Sequence, residues 1–322
     1  MIKKIITLGS IILIALEINA QGCSDAGLCS ISGLKNIDKQ STNNRLTFGN
    51  SVGLGEQGVL VINPYIQYER RINKHWGVQG KVTSQIASGN LGTASGLGDF
   101  YFSSTYTTNL KKGTLTFLLG TKIFTNQADL TTEYGLGVPM VYQSSLGTID
   151  IISGINYSID NWRFAVGFQQ PITGFNLNTF LPNDWAGRFD PALGRIVTNP
   201  LYNDAKLYDP TNHLDRRADA LFNVSYNFDR IKNLNIILGL LNIYHLGEDT
   251  YVDPNSQGGS NEPISIKGSD GLTINGTVTL WYRINKKISI GCLFGTPFLV
   301  RDVRPDGLTR SVVFAPELVF SF

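Results

Sequence analysis

The sequence predicts an all-β fold, a transmembrane antiparallel up-and-down β-barrel of about 12 strands with long extracellular loops and short periplasmic turns. Three observations support this prediction. Segments in which apolar and polar residues alternate recur along the chain from residue 44 onward. The connections between these segments alternate between short and long. The last segment, 311–322, keeps the alternation and has Phe322 as its final residue.

The first 20 residues predict a signal peptide. Lys3 and Lys4 precede a short apolar stretch, and Ile18-Asn19-Ala20 suits cleavage before Gln21. The apolar stretch is shorter than the roughly 20 residues that a membrane-spanning helix needs. We therefore expect export to the outer membrane of a Gram-negative envelope, with a signal peptide at 1–20, a periplasmic segment at 21–43 and the barrel at 44–322.

The amino-acid composition of the chain indicates which classes of protein it can belong to. The net charge is only +2, which argues against a nucleic-acid partner. Mean hydropathy is close to zero, as expected for a barrel in which half of each strand faces water. The 34 glycines suit a chain rich in strands and turns.

The alternating segments predict the strands and their two faces. Leu272, Ile274 and Val278 fall on a face that suits lipid, whereas Thr273 and Asn275 fall on a face that suits water. A slip of one residue would place charges in hydrocarbon, at a cost of about 2–4 kcal/mol for each Lys or Arg near the midplane. The predicted strands are approximately 44–53, 57–71, 76–88, 97–109, 113–125, 146–159, 162–174, 217–228, 233–246, 271–284, 288–300 and 310–322.

Ten charged residues fall on the water-facing side of these strands, where we expect them to line the lumen. They are Glu69, Arg71, Lys81, Asp99, Lys122, Asp150, Arg163, Asp219, Arg283 and Glu317. They could form a selectivity belt or a structural network of ion pairs. Because the two signs balance, we expect no sharp charge selectivity.

The longest predicted connection, 175–216, is a candidate gating loop. Long loops are commonly functional, and the aromatic content of this one favours packing at the barrel mouth. Its aromatic residues are Phe175, Phe180, Trp185, Phe189, Tyr202 and Tyr208. Its carboxylates match no calcium-loop spacing, so we expect no metal and no cofactor.

Cys23 and Cys29 lie six residues apart near the predicted mature N-terminus. A disulfide is the favoured interpretation in an oxidising compartment. Two free thiols, or a lipidated Cys23, are the alternatives.

The sequence gives little support for an enzymatic function. The chain contains three histidines, and a serine hydrolase needs a serine within reach of its base. Twelve-stranded outer-membrane phospholipases carry a His and a Ser two residues apart, but Gly247 and Asp215 occupy that position after His245 and His213. We therefore expect no catalytic residues.

Three short motifs carry a resemblance to a known family. They are Ser95-Gly96-Leu97-Gly98-Asp99 at the start of a strand, Gly120-Thr121-Lys122-Ile123-Phe124-Thr125-Asn126, and Leu146-Gly147-Thr148-Ile149-Asp150. The chain resembles the outer-membrane transporter family of the meta-pathway of phenol degradation, which is distantly similar to long-chain fatty-acid channels. Phe124, Asn126 and Ile149 depart from the family pattern. The resemblance implies passage of small, often hydrophobic or aromatic, compounds.

The sequence thus predicts an outer-membrane channel for passive passage of a small solute, whose identity it does not specify. The alternative is a non-conducting barrel whose long loops bind a partner protein or a surface ligand. Outer-membrane lipid would surround the barrel. The C-terminal strand ending in Phe322 would be recognised by the barrel-assembly machinery.

Overall fold

The computed structural model describes residues 43–190, 194–255, 261–308 and 311–322, without the side chains of 188–190 and 195–197. The predicted signal peptide, Cys23 and Cys29 lie outside these residues. Sixteen strands are present in this part of the chain, and twelve of them close into one barrel. The barrel strands are β1 (Asn44–Leu54), β2 (Leu60–Arg71), β3 (Trp76–Gly89), β4 (Gly92–Asn109), β5 (Thr114–Ile123), β6 (Asp150–Ile159), β7 (Trp162–Pro171), β10 (Asp219–Ile231), β11 (Leu234–His245), β14 (Gly271–Arg283), β15 (Ile288–Leu299) and β16 (Val313–Ser321).

Every barrel strand runs antiparallel to its neighbours, and β1 closes the barrel by pairing with both β2 and β16. Arg45 is the register partner of Glu69 on one side and of Ser321 on the other. Closure leaves no unpaired sheet edge, as a membrane requires. The predicted fold class and the number of barrel strands are confirmed.

The strand bounds differ from the predicted ones mainly at the long-loop end. β4 begins at Gly92 rather than at 97, and β7 ends at Pro171 rather than at 174. The prediction that β6 begins at 146 was wrong, because residues 146–149 leave the wall and the strand begins at Asp150.

Outward and inward side chains alternate as predicted. Ile66, Leu238 and Phe314 are each more than 40% exposed on the outer surface. Inward neighbours such as Gln67 and Asn275 are buried. An apolar exterior around a polar interior is the arrangement of an outer-membrane barrel.

Aromatic side chains surround the short-turn end of the barrel. Trp76 lies beside Tyr106 with ring centroids 5.1 Å apart, and Trp162 contacts Tyr226 at 4.9 Å. Tyr282 is exposed at the same end. These amphipathic rings lie where an interfacial aromatic belt is expected.

The long connections contain two small hairpins, β8 (Gly187–Asp190) with β9 (Arg195–Thr198) and β12 (Thr250–Val252) with β13 (Pro263–Ser265). They also contain a four-residue helix, α1 (Tyr202–Ala205), and 3₁₀ turns at Glu56–Gly58, Met140–Tyr142 and Pro182–Trp185. Among the described residues, no helix is both long and apolar enough to cross a bilayer.

Candidate functional site

The ten charged residues predicted to line the lumen lie on the inner face of their strands, at three levels along the barrel axis. The level near the long loops holds Asp99, Lys122, Asp150 and Asp219, all of which are buried. Near the middle, Lys81 lies over the ring of Tyr65, whose hydroxyl donates to Glu317. The level near the short turns holds Glu69, Arg71, Arg163 and Arg283, which border open cavities.

The long-loop half of the lumen is filled by part of the β5–β6 connection. We call residues 138–148 the lumen plug, since every one of them is buried. Gln85 on the inner wall of β3 donates hydrogen bonds to the backbone carbonyls of Val141 and Gln143, at 3.1 and 2.7 Å. Ser145 donates to Asp99 at 2.5 Å. These hydrogen bonds pair polar groups of the plug with polar side chains of the barrel wall.

Two glycines in the motifs that carry the family resemblance make room for the plug. Gly98 lies at a bulge where β4 changes register against β3, and a Cβ there would come within 2.9 Å of the Ser144 carbonyl oxygen. Gly147 has φ +69, and a Cβ there would meet the backbone of Gln127 at 2.7 Å. Only glycine combines this left-handed conformation with such close approach.

A buried lysine joins the plug to two strands. The Nζ of Lys122 lies 3.2 Å from Asp150 and 3.6 Å from Asp99, and it donates to the hydroxyl of Thr148 at 3.0 Å. Gln169 donates to the second oxygen of Asp150. Because Lys122 and Asp150 are both fully buried, each depends on the other for its charge to be compensated.

The β7–β10 connection covers the plug from outside. Asn178 donates to the carbonyls of Ala128 and Val138, both at 3.0 Å, and Asn176 donates to that of Leu146 at 3.0 Å. The indole of Trp185 donates to the carbonyl of Gly137 at 3.1 Å. Side chains of the β7–β10 connection thus donate hydrogen bonds to backbone carbonyls within the plug and next to it.

The predicted gating residues divide into buried and exposed members. Phe180, Trp185 and Tyr208 are buried in one apolar cluster with the plug residues Val138, Val141 and Tyr142, and Tyr202 packs against that cluster. Phe175 is 55% exposed. The side chain of Phe189 lies outside the described part of the structure. The predicted gating loop therefore packs on another loop, which the sequence did not single out.

A second buried charge cluster ties three long loops to the mouth of the barrel. It consists of Arg216, Asp219, His245, Asp249, Arg301 and Asp306. Arg301 binds Asp306 at 2.5 Å, and the Nε of Arg216 lies 3.3 Å from the same carboxylate. Burial alone would raise the pKa of Asp306, but Arg301 and Arg216 together hold it well below its usual range.

His245 connects two carboxylates of this cluster. Its Nδ1 lies 2.6 Å from Asp219 and its Nε2 lies 2.8 Å from Asp249. Both ring nitrogens can donate only when the imidazole is protonated. The geometry therefore fits a protonated His245. Its positive charge and those of the two arginines then balance the negative charges of the three aspartates.

A third group of acids lies at the outer rim. Glu56, in the β1–β2 connection, is near Asp209, Arg304 and Asp306. Burial, with a smaller contribution from Asp209, raises the pKa of Glu56 to about 7. Burial also raises the pKa of Asp209. This part of the rim is therefore sensitive to protons near neutral pH.

The short-turn half of the lumen is open. Two cavities lie there, of about 490 Å³ and about 670 Å³, and both are lined in part by Arg45. Between the plug and the wall the space shrinks to a cavity of about 20 Å³ beside Asp99 and Ser145. The lumen is thus wide at the short-turn end and closed by packed loops at the other.

Sequence reasoning missed the plug, although one signal for it was present. No charged residue occurs between Tyr134 and Ile149, which is unusual for an exposed loop and typical of a buried segment. It also missed Arg216, Asp249, Arg301 and Asp306, because these four residues lie in three separate loops that only the folded barrel brings together.

Known structures share this architecture. An outer membrane channel from Pseudomonas putida F1 matches over 90% of this chain and 98% of its own, with 10% sequence identity and a TM-score of 0.56. The chain has the fold of that channel. The CymD monoaromatic hydrocarbon channel covers 96% of this chain and 99% of its own, with 9% identity and a TM-score of 0.44. No protein-family profile and no curated protein matches the sequence.

Proposed function

We propose that this protein is an outer-membrane channel for passive passage of small solutes, including hydrophobic or aromatic compounds. The observation that carries the proposal is the division of the lumen into an open half, with cavities of about 490 and 670 Å³, and a half closed by loops. A barrel kept only as a support for loops has no need of such an open interior.

The lumen plug is the proposed gate. It is held by hydrogen bonds to the wall rather than by strand pairing, so it can leave without breaking the barrel. Segments of this kind open on microsecond to second timescales. The β7–β10 loop would set how often this happens, because its aromatic side chains cover the plug.

Export by the signal peptide at 1–20 and insertion by the barrel-assembly machinery, through the strand ending in Phe322, belong to this proposal. The outer-membrane channel from P. putida F1 supports it at the level of fold. The solute class rests instead on the three sequence motifs, whose family resemblance suggests small hydrophobic or aromatic compounds for the present chain.

The test is solute flux into proteoliposomes with a plugless variant. Lys122 and Asp150 are register partners, so a Gly/Ser turn of about four residues can replace 124–148 and join β5 to β6 directly. We expect slow entry of a small neutral sugar and of phenol through the wild-type barrel, and entry at least about tenfold faster for the sugar through the plugless barrel, whose wall is unchanged. Phenol also crosses lipid, so empty liposomes set its background. Absence of flux through both folded barrels would favour the alternative of a non-conducting barrel that binds a partner through its loops.

A further inference from the structure

The two ends of the barrel carry opposite surface charge. Among the described residues at the short-turn end, nine exposed side chains are Lys or Arg and two are Asp or Glu. At the long-loop end, three exposed side chains of described residues are Lys or Arg and six are Asp or Glu. The exposed side chains therefore give the short-turn end a net charge of +7 and the long-loop end a net charge of −3.

The positive charges encircle the short-turn end of the barrel. Four of the five short turns each carry at least two exposed bases, and we call these turns the basic rim. They lie at 70–74, 111–112, 230–232 and 286–287. The fifth turn carries Asp160 and no base, and the other exposed acid, Asp229, directly precedes Arg230. No ion pair between described residues uses an exposed base of the rim, so these side chains are available to a partner.

The basic rim lies directly beyond the aromatic belt. Arg70 follows Tyr68 by two residues on the outward face of β2, and both side chains are exposed. The hydroxyl of Tyr157, on the outward face of β6, donates a 2.6 Å hydrogen bond to the backbone carbonyl of Lys112. Aromatic belts lie at the level of the lipid headgroups, so the bases of the rim adjoin these headgroups.

This arrangement favours anionic phospholipid as the partner of the rim. Lys and Arg beside a membrane surface attract anionic headgroups, and both bind phosphate oxygens through charge-assisted hydrogen bonds. The turns after β2 and β4 are two strands apart, which is roughly 10 Å around the barrel. Bases spread in this way suit many separate headgroups, whereas a docked protein needs one continuous contact face.

We propose that the basic rim binds the headgroups of anionic phospholipids in the periplasmic leaflet and gathers these lipids around the short-turn end of the barrel. The partner is a phosphodiester headgroup with a net negative charge, for which phosphatidylglycerol is the probe. This inference goes beyond the proposed function, because it concerns the outer rim and holds whether or not the lumen conducts.

Two native tryptophans can report on the lipids beside the rim. Trp76 and Trp162 are each 47% exposed at the short-turn end. The other two tryptophans, Trp185 and Trp281, are only 1% and 8% exposed. Quenchers carried by the lipid should therefore act mainly on Trp76 and Trp162.

The two reporters lie beside turns of different charge. Trp76 follows the basic turn at 70–74, and it pairs with Tyr106 on β4, the strand that leads into the basic turn at 111–112. Trp162 directly follows the turn that carries Asp160. A preference for anionic lipid that comes from the rim should thus be stronger at Trp76 than at Trp162.

The test places the folded barrel in vesicles of phosphatidylcholine and phosphatidylglycerol, with bromine on the acyl chains of one lipid at a time. Quenching of fluorescence in Trp162→Phe gives the relative association of the two lipids beside Trp76. We expect phosphatidylglycerol to associate at least about threefold more strongly at about 0.01 M salt. The ratio should fall close to one at about 1 M salt, where the Debye length is about 3 Å. It should be smaller in Trp76→Phe, which reports from Trp162.

A matched pair of variants locates the effect on the rim. Lys111→Gln/Lys112→Gln, made in the Trp162→Phe background, should reduce the ratio at least about twofold. Lys206→Gln/Lys267→Gln removes the same charge from exposed positions at the long-loop end and should leave the ratio unchanged. Heat-modified mobility in gels confirms that each variant is folded.

Equal association of the two lipids at low salt would overturn the proposal, and so would a phosphatidylglycerol preference that Lys111→Gln/Lys112→Gln retains in full. Equal association together with salt-dependent binding of soluble polyglutamate to the same vesicles would assign the rim to an acidic protein partner instead. Because none of these measurements requires an open lumen, failure of the channel in bilayers would leave the lipid result unaffected.

Discussion

The side-chain amide of Gln85 donates a 2.7 Å hydrogen bond to the backbone carbonyl of Gln143, and this bond joins the wall of the barrel to the segment that closes it. Gln85 lies 58 residues before Gln143, on a strand whose other inward side chains face the lumen. A contact of this kind stabilises the closed state without stabilising the barrel itself. Because Gln85 also accepts a 2.9 Å hydrogen bond from Asn63 within the wall, a Gln85 variant is checked for folding as well as for gating.

Replacing Gln85 with leucine should open the channel. The change removes the donor to the carbonyls of both Val141 and Gln143, and an unsatisfied buried carbonyl costs about 1–3 kcal/mol. We expect the closed plug to lose at least about 1.4 kcal/mol, so the open fraction should rise about tenfold. Single-channel recording of the open probability checks this.

Gln170→Leu is the matched control. Gln170 lies on the outward face of β7 and donates only to the adjacent carbonyl of Pro171 among the bonds described. Equal open probabilities in Gln85→Leu and Gln170→Leu would show that the Gln85 bonds do not hold the plug.

Lys122→Met should destabilise the whole barrel rather than only the plug. Methionine would leave Asp99 and Asp150 buried and uncompensated in the wall, and removing one partner of a buried ion pair costs about 3–5 kcal/mol. Urea unfolding in lipid vesicles, followed by heat-modified mobility in gels, measures the loss. Lys112 lies on an exposed turn, so the control variant Lys112→Met should change the urea midpoint little. If Lys122→Met were as stable as Lys112→Met, the ion pairs of Lys122 would not be stabilising the barrel.

Gly147→Ala should loosen the plug more than Gly135→Ala does. Both glycines have positive φ, so alanine is strained at either position, but only at Gly147 would a Cβ also meet neighbouring backbone, at 2.7 Å. The difference between the two variants therefore isolates the steric clash, for which we expect about 1–3 kcal/mol. Protease cleavage of the 124–149 connection in the folded barrel measures plug release. Similar cleavage rates for both variants would count against the close packing of Gly147 on Gln127.

The channel should open as pH rises toward and above 7. Burial raises the pKa of Glu56 from 4.5 to about 7 in the closed rim, so the closed state holds a proton that a released loop would lose. Closure is therefore favoured fully below about 4.5 and loses this contribution as pH rises through about 7. Glu56→Gln mimics the protonated form and should keep the rim closed at pH 8. Conductance between pH 5 and 8 is the measurement.

Glu133→Gln, at an exposed position in the β5–β6 connection, controls for charge removal. It should retain the pH response of the wild type. A pH response that survives unchanged in Glu56→Gln would assign it to another group, of which His245, beside Asp219 and Asp249, is the next to test.

The wall of the barrel could be predicted from the sequence, whereas the contents of its lumen could not. Alternation assigned Ile274 to the lipid face and Asn275 to the lumen, because a strand of period two leaves no other choice. The inward position of Lys122 followed in the same way. Its pairing with Asp99 and Asp150 depends on the order of the strands and on the bulge at Gly98. No local sequence pattern specifies either of these.

The packing of the loops was likewise not predictable from local sequence patterns. Aromatic content drew attention to Trp185 and Tyr208, which the structure buries against the 138–148 plug, but the plug itself was taken in part for the start of a strand. The polar residues Thr148 and Asp150 alternate with Ile149 and Ile151 as in a strand. The positive φ of Gly147, which turns this segment inward, has no counterpart in hydrophobic periodicity.

The most direct test of the central claim, that a loop folded into the lumen closes an otherwise open barrel, is the single-channel conductance of the wild-type and plugless proteins in the same bilayer. We predict brief, small openings for the wild type and a steady conductance several times larger when a short turn replaces 124–148. Equal conductance in the two folded proteins would contradict the claim, because the plug would then not obstruct the path.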